Sequence, residues 1–498
     1  MFHYNPLLLS DFYKQFHRKQ YPKDTQYIYS VLTPRTSKKL YHVSHVVSFG
    51  YQAFIKRYLM EYFDQYFFQQ DKQTLIEQYK QCFRACLNMS DETIDTHHLV
   101  ALHDLGYLPL EIKAIPEGKM IPIKNPLLTI RNTDPRFFWL TNYLETLLLT
   151  STWLPTTSAT IAAMYRSSLQ KWGNISNADL AYIDYQAHDF SMRGLSSLES
   201  AALSGAAHLI AFKGTDVIPA IHFVQHYYPI NNKMLIGSSI PATEHSVMCI
   251  HGRDELATFE YLITQVYPTG TVSIVSDSYD FWHNIRVTLP ALKTLILARE
   301  GKVVIRPDSG DPMKIICGNP QAKDPTERIG LIAALYHIFG GQKNAKGFIK
   351  LDPHIGVIYG DSINLELANQ IIKKLISQGF AASNIVFGIG SLAYQQNSRD
   401  SLGLAVKATH AVVNGEERLV FKDPKTDHNK RSPRGMVKVL PNGDFQDGLG
   451  LHSDFSDDQL HTIFYNGEIR NSLSFEEVRS NFTKDLISLG EQFQFTLP

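Results

Sequence analysis

Five short apolar runs in the middle of the chain, each followed at once by a cluster of Asp, Gly or Ser, constrain the fold most. They are His208–Phe212 before Lys213–Asp216, Val272–Val275 before Ser276–Asp280, and Val303–Ile305 before Arg306–Gly310. Gly356–Tyr359 before Gly360–Asp361 and Ile385–Phe387 before Gly388–Ser391 complete the set. Apolar runs of this length without polar alternation read as strands covered on both faces. Helical periodicity fills stretches between them, over Arg328–Phe339 and Asn364–Gln378. The last four tips recur about 30 to 50 residues apart, the length of a βα unit with insertions. Parallel strands alternating with helices give an α/β fold whose polar residues collect at the C-terminal rim, where such folds place their sites. An open doubly wound sheet would leave the same local pattern. No tip carries GxGxxG or GxxxxGK[ST], which disfavours a Rossmann or P-loop domain. The expected architecture is an irregular β/α barrel.

Outside this region, Gln52–Leu87 reads as amphipathic helix, and Pro116–Gly118, Ile121–Pro122 and Lys124–Pro126 as turns between short strands. A helix is expected over Phe137–Thr150, ending before Pro155. Lys and Arg number 48 and Asp and Glu number 48, so net charge is zero, which argues against a chain that coats nucleic acid or anionic membrane. Cys82, Cys86, Cys249 and Cys317 form no zinc-ligand spacing and read as buried or inert thiols of a reducing compartment. The N-terminal MFHYNPLLLSDF has too short an apolar run for a signal peptide, and no stretch is apolar enough to span a membrane. A cytoplasmic protein is expected.

Taken singly, Asp or Ser after a strand is often a helix N-cap, and Gly-Asp a common turn. Five such tips with an arginine and several carboxylates instead suggest a site. They suit transfer of a ribosyl group away from a pyrophosphate. That chemistry needs Mg²⁺ and carboxylates for the ribose hydroxyls and diphosphate, cations and amides for phosphate, and a flat apolar slot for a base. Asp277, Asp308 and Asp361 can supply the first, and Arg193, Arg306, Arg399 and Lys407 the second. The turn Gly388–Ser391 can cradle a phosphate on backbone N–H groups.

Motifs along nearly the whole chain, in order, resemble the nicotinamide phosphoribosyltransferases, a type II phosphoribosyltransferase family. They include Asp11–Lys14, Asn132–Pro135, His188–Gly194, Phe212–Asp216, Pro241–Ser246, Ser276–Asp280, Ile305–Gly310, Gly360–Asp361, Arg399–Asp400 and Phe421–Pro424. The resemblance implies a β/α-barrel domain over 151–399. It implies a second, mixed α/β domain from 1–150 and 400–498 that completes the active site of the partner in a homodimer. It further implies that Phe190 and the partner's Tyr13 sandwich nicotinamide, that Asp216 accepts a hydrogen bond from its carboxamide, and that Ser239 and Arg306 surround that group. Absent the resemblance, the two aromatics read as core residues and Asp216 as a turn residue.

By the same resemblance Asp308, Gly360 and Asp361 meet the ribose hydroxyls, and Asp277 and Asp308 lie where Mg-pyrophosphate is held. Arg193, Arg399, Lys407, Gly390 and Ser391 meet phosphate, with Arg399 and Lys407 from the other subunit. Lys422 and Lys430 lie near the phosphates of ATP, which phosphorylates His245. The implied reaction forms nicotinamide mononucleotide and pyrophosphate from nicotinamide and phosphoribosyl pyrophosphate in NAD salvage, coupled to ATP hydrolysis. Two positions depart from the animal pattern: Gly388-Ile-Gly390-Ser391 has fewer glycines, and Ala405 replaces a phosphate-contacting serine. The alternatives are a nicotinate phosphoribosyltransferase and a non-catalytic protein that binds the mononucleotide.

Overall fold

A computed structural model describes residues 5–231, 233–360, 362–421 and 433–497. It divides into two compact units, one of Met1–Thr160, Val224–Asn232 and Asn397–Thr496, the other of Ile161–Phe223, Lys233–Gln396 and Leu497–Pro498.

The second unit is built on five parallel strands in the order Ala187–Asp189, Val386–Ile389, Ile355–Tyr359, Glu300–Arg306, Thr269–Val275. Four of the five apolar runs therefore form strands. Val272, Ile274, Val303 and Ile305 are fully buried, as continuous apolar strands between helices require. Full burial of one such side chain contributes about 1.5–3 kcal/mol. Single parallel bridges, Asp189 to Thr215, Gly214 to Ser238 and Ala242 to Ser273, carry the pairing from the first strand of the order round to the last. The sheet curls into the irregular β/α barrel expected.

His208–Phe212 is a correction. It ends the helix Leu198–Ala211, which starts on a Ser197 hydroxyl accepting the Ser200 N–H at 3.0 Å. A five-residue apolar run cannot separate strand from buried helix, and the alanine-rich stretch before it favours helix. Gly205 lets this helix approach the helix Ile218–Tyr227: a Cβ there would lie 2.7 Å from that of Ala220. The extended stave at this position is the short segment 213–215.

The first unit holds a seven-stranded antiparallel sheet, ordered Glu416–Leu419, Leu404–Val413, Thr25–Pro34, Leu128–Asn132, Leu110–Ala114, His461–Tyr465, Glu468–Ile469. Its strands come from both ends of the sequence, and those between Pro109 and Thr133 turn at Gly118 and Lys124, both with positive φ. The helix expected to stop before Pro155 instead runs from Glu145 to Ser176 through it. Its hydroxyls bond back along the axis, Ser151 to Leu147 O and Thr152 to Leu148 O at 2.7 Å each. The proline ring packs where Gly50 has no side chain, since a Cβ there would lie 2.6 Å from Pro155 Cγ. The helix over Gln52–Leu87 is broken before Lys72, where Asp71 caps a new start, and Arg328–Phe339 is split at Gly330. All four cysteines are unpaired; Cys317 is buried, its thiol pushed up to about 12 by burial, while Cys86 and Cys249 are exposed. Among the described residues no helix is long and apolar enough to cross a membrane.

Candidate active site

The polar tips separate into two kinds. Asp280, Asp311 and Asn364 cap helices, accepting the His283 N–H at 2.9 Å, the Met313 N–H at 3.0 Å and the Leu367 N–H at 2.8 Å. Asp216, Asp277 and Asp308 do not cap. Asp216 and Asp308 line a cavity of 670 Å³ at the strands' C-terminal ends, together with Phe190, Arg193, Arg306, Gly360, Gly390 and Ser391, and Asp277 lies behind Asp308. The barrel thus gathers residues far apart in sequence at one rim, as strand order dictates.

Phe190 forms the apolar wall. Its N–H donates to Ile389 O at 2.9 Å, extending the ladder of strand Ala187–Asp189, and its ring lies over two glycines. A Cβ on Gly388 would stand 2.5 Å from Phe190 Cδ2, and one on Gly360 3.6 Å from the same atom. Gly388 is therefore a steric requirement for the ring's position. Gly194 similarly meets Ser391, whose Oγ would lie 2.1 Å from an added Cβ. That close approach sets the Arg193 turn against the Gly390–Ser391 turn, so a guanidinium and a helix start border the same space.

Asp216 sits beside Phe190. His188 Nε2 lies 2.9 Å from Asp216 Oδ1, and the Ser239 hydroxyl donates to the same oxygen. Burial alone would raise this carboxyl, but the His188 and Ser239 bonds and the Arg306 charge outweigh it and hold it below its ordinary value. Arg306 is anchored by Nη2 donating to Thr243 O at 2.5 Å.

Asp277 is turned inward, its side chain 4% exposed. Its Oδ2 accepts the Asp308 N–H at 3.0 Å and the Ser309 hydroxyl at 2.6 Å, while Oδ1 lies 3.1 Å from His245 Nε2. One buried carboxylate thus ties the loop after Arg306 to the imidazole that opens the helix His245–Ile250. Asp308 is the carboxylate that faces the cavity. Sequence reasoning missed His188, Ser309 and the steric role of Gly388. Period-2 alternation pointed to His188, because residues 188 and 190 share one face of an extended strand.

Tyr13, Arg399 and Lys407 belong to the first unit. Tyr13 is 57% exposed ahead of the helix Lys14–Gln20, Arg399 Nη2 bonds Asp400 at 2.7 Å, and Lys407 Nζ lies 3.5 Å from Glu145. Ala405 is buried in the antiparallel sheet opposite Thr33. Asp361, Lys422 and Lys430 lie outside the described residues. Among the described residues no three His, Cys, Asp or Glu side chains gather to hold a metal by themselves.

The solved nicotinate-nucleotide pyrophosphorylase of Pyrococcus furiosus has a similar fold, with a TM-score of 0.56 at 13% identity, covering 99% of this chain and 97% of that one. The model of the nicotinate phosphoribosyltransferase family matches residues 185–468, and that of the nicotinamide phosphoribosyltransferase N-terminal domain matches residues 5–112. Fold, site and family model together define an enzyme of the phosphoribosyltransferase class. Nicotinamide phosphoribosyltransferase of Acinetobacter baylyi is 45% identical, over 98% of this chain and 99% of its own length. That of Xanthomonas campestris is 38% identical, over 76% and 79% respectively. The chain belongs to the nicotinate phosphoribosyltransferase family, within its nicotinamide phosphoribosyltransferase group.

Proposed function

We propose that this enzyme joins nicotinamide to phosphoribosyl pyrophosphate, forming nicotinamide mononucleotide and pyrophosphate. The observation that carries this reading is the Asp216 carboxylate, kept ionised beside Phe190 by His188 and Ser239. A carboxylate accepts a hydrogen bond from a carboxamide NH₂ and repels the carboxylate of nicotinate. The relatives' names agree with that choice.

The pyridine nitrogen attacks C1 of the ribose with its own lone pair as the C1–O bond to pyrophosphate breaks. No proton moves and no side-chain nucleophile is required. Phe190 stacks on the ring, Arg306 and Ser239 fix the carboxamide, and Asp308 with Gly360 and Asp361 holds the ribose hydroxyls. Arg193 and the N–H groups at Gly390 and Ser391 take phosphate, so catalysis is positioning plus charge stabilisation. Mg²⁺ fits as an ion carried on the diphosphate, since it needs only one or two protein carboxylates, and Asp308 offers one in the cavity. When bound it neutralises leaving-group charge.

His245 is the acceptor of the ATP γ-phosphoryl group in this reading, with Lys422 and Lys430 near the ATP phosphates. In the tautomer that donates Nε2–H to Asp277, Nδ1 keeps its lone pair and attacks phosphorus as ADP leaves; water later releases phosphate.

Purified enzyme with phosphoribosyl pyrophosphate should convert nicotinamide and leave nicotinic acid almost untouched, faster with ATP and only with Mg²⁺, in a mass-resolved product assay. Nicotinic acid mononucleotide as the main product would overturn the specificity, and neither product from folded protein would overturn the transfer reaction.

We further propose a homodimer in which Tyr13, Arg399 and Lys407 serve the partner's cavity. Tyr13→Ala and Arg306→Ala chains, each inactive alone, should regain about a quarter of wild-type activity when mixed, since half of the chains pair as hybrids with one intact site. No recovery in confirmed heterodimers would remove the shared site.

A further inference from the structure

We infer that His188 is a positioning residue that sets substrate specificity by fixing the Asp216 carboxylate. This rests on the specificity proposed above. Three surfaces confine the imidazole. Its ring centroid lies 4.6 Å from that of Phe190 at an interplanar angle of 40°. Behind it Gly214 leaves the space it occupies, since a Cβ there would stand 2.9 Å from Nδ1 and 3.4 Å from His188 Cα. In front, Nε2 meets Asp216 Oδ1 at 2.9 Å. The backbone is held as well, because His188 pairs with Gly388 in the parallel ladder, beside the ring it helps to seat.

The His188 and Ser239 bonds fall on one oxygen, Oδ1. Two donors on one carboxylate oxygen stop rotation about the Cβ–Cγ bond and direct the other oxygen to a donor in the cavity. The side chain of Asp216 is 43% exposed and that of His188 12%, so the less mobile partner is the imidazole. Without it, an exposed aspartate would sample other rotamers, and a carboxamide would have to order it on binding. His188 thus lets binding energy be spent on the substrate's amide.

Amide side chains separate this role from packing. The amide nitrogen of glutamine can reach the place of Nε2, whereas that of asparagine reaches only that of Nδ1. His188→Gln should keep both the KM for nicotinamide and the preference over nicotinic acid within about 3-fold of wild type, as retention of one hydrogen bond predicts. His188→Asn and His188→Leu should raise that KM about 10-fold and lower the preference about 10-fold, with kcat at saturation changed less than about 2-fold.

Wild-type enzyme run alongside separates the two readings. A wild type that does not favour nicotinamide overturns the specificity proposal and this one with it. A selective wild type with equally selective Asn and Leu variants overturns only the role of His188. Glutamine as damaging as leucine assigns His188 to packing and also overturns it. Should the Leu variant fail to fold, the Gln and Asn pair decides.

Discussion

Asp216→Asn is expected to lower the preference for nicotinamide over nicotinic acid by about 100-fold in kcat/KM, mostly by admitting the acid. Two like charges about 4 Å apart differ by ~4 kcal/mol at an effective dielectric of 20, and the partial exposure of Asp216 reduces this to nearer ~2.7 kcal/mol. Asparagine keeps the side-chain volume and an oxygen that His188 and Ser239 can still bond, so the fold should survive while the charge is lost and the group facing the cavity turns from acceptor to NH₂ donor. Serine at 216 should move in the same direction with weaker binding of both substrates. The measurement is a competition assay with both bases in one tube. An unchanged product ratio would show that selectivity is set elsewhere in the cavity.

His245→Ala is expected to remove ATP hydrolysis, to less than about 1% of wild type, while nicotinamide mononucleotide formation without ATP changes less than about 3-fold. The separation follows from the wiring of Asp277. Loss of the imidazole takes one contact from Oδ1 but leaves the Asp308 N–H and Ser309 hydroxyl on Oδ2, so the loop after Arg306 keeps its shape. Release of ³²P-phosphate from labelled ATP and synthesis of product should be followed in the same samples. Hydrolysis that persists in the folded variant would rule out His245 as phosphoryl acceptor.

Four of the five parallel strands were legible because burial on both faces writes itself as unbroken apolar runs, whereas Ala187–Asp189 carries no such run and was missed. His208–Phe212 misled because five apolar residues carry no usable period, and the helix was decided by the alanines and the Ser197 cap upstream. Pro155 misled because local propensity is overruled where the helix is buried around the proline and a glycine, here Gly50, makes room for the ring. Within the site, the residues that present charge to the cavity stood out at the strand ends. What did not stand out is the support beneath them. The inward turn of Asp277 and the glycine under Phe190 are facts of side-chain direction, which emerge only once the strands are curled into a ring.

The three single bridges at residues 189, 214 and 242 divide the ring into unequal halves. Strands Thr269–Val275 and Glu300–Arg306 are stitched over seven consecutive pairs, whereas the wall that bears Asp216 and Ser239 is tacked at single points. Opening that seam disrupts only a handful of backbone bonds and leaves the long ladder whole. The wall that carries Asp216 and Ser239 therefore has the lower cost of local opening, and the wall that carries Arg306 the higher.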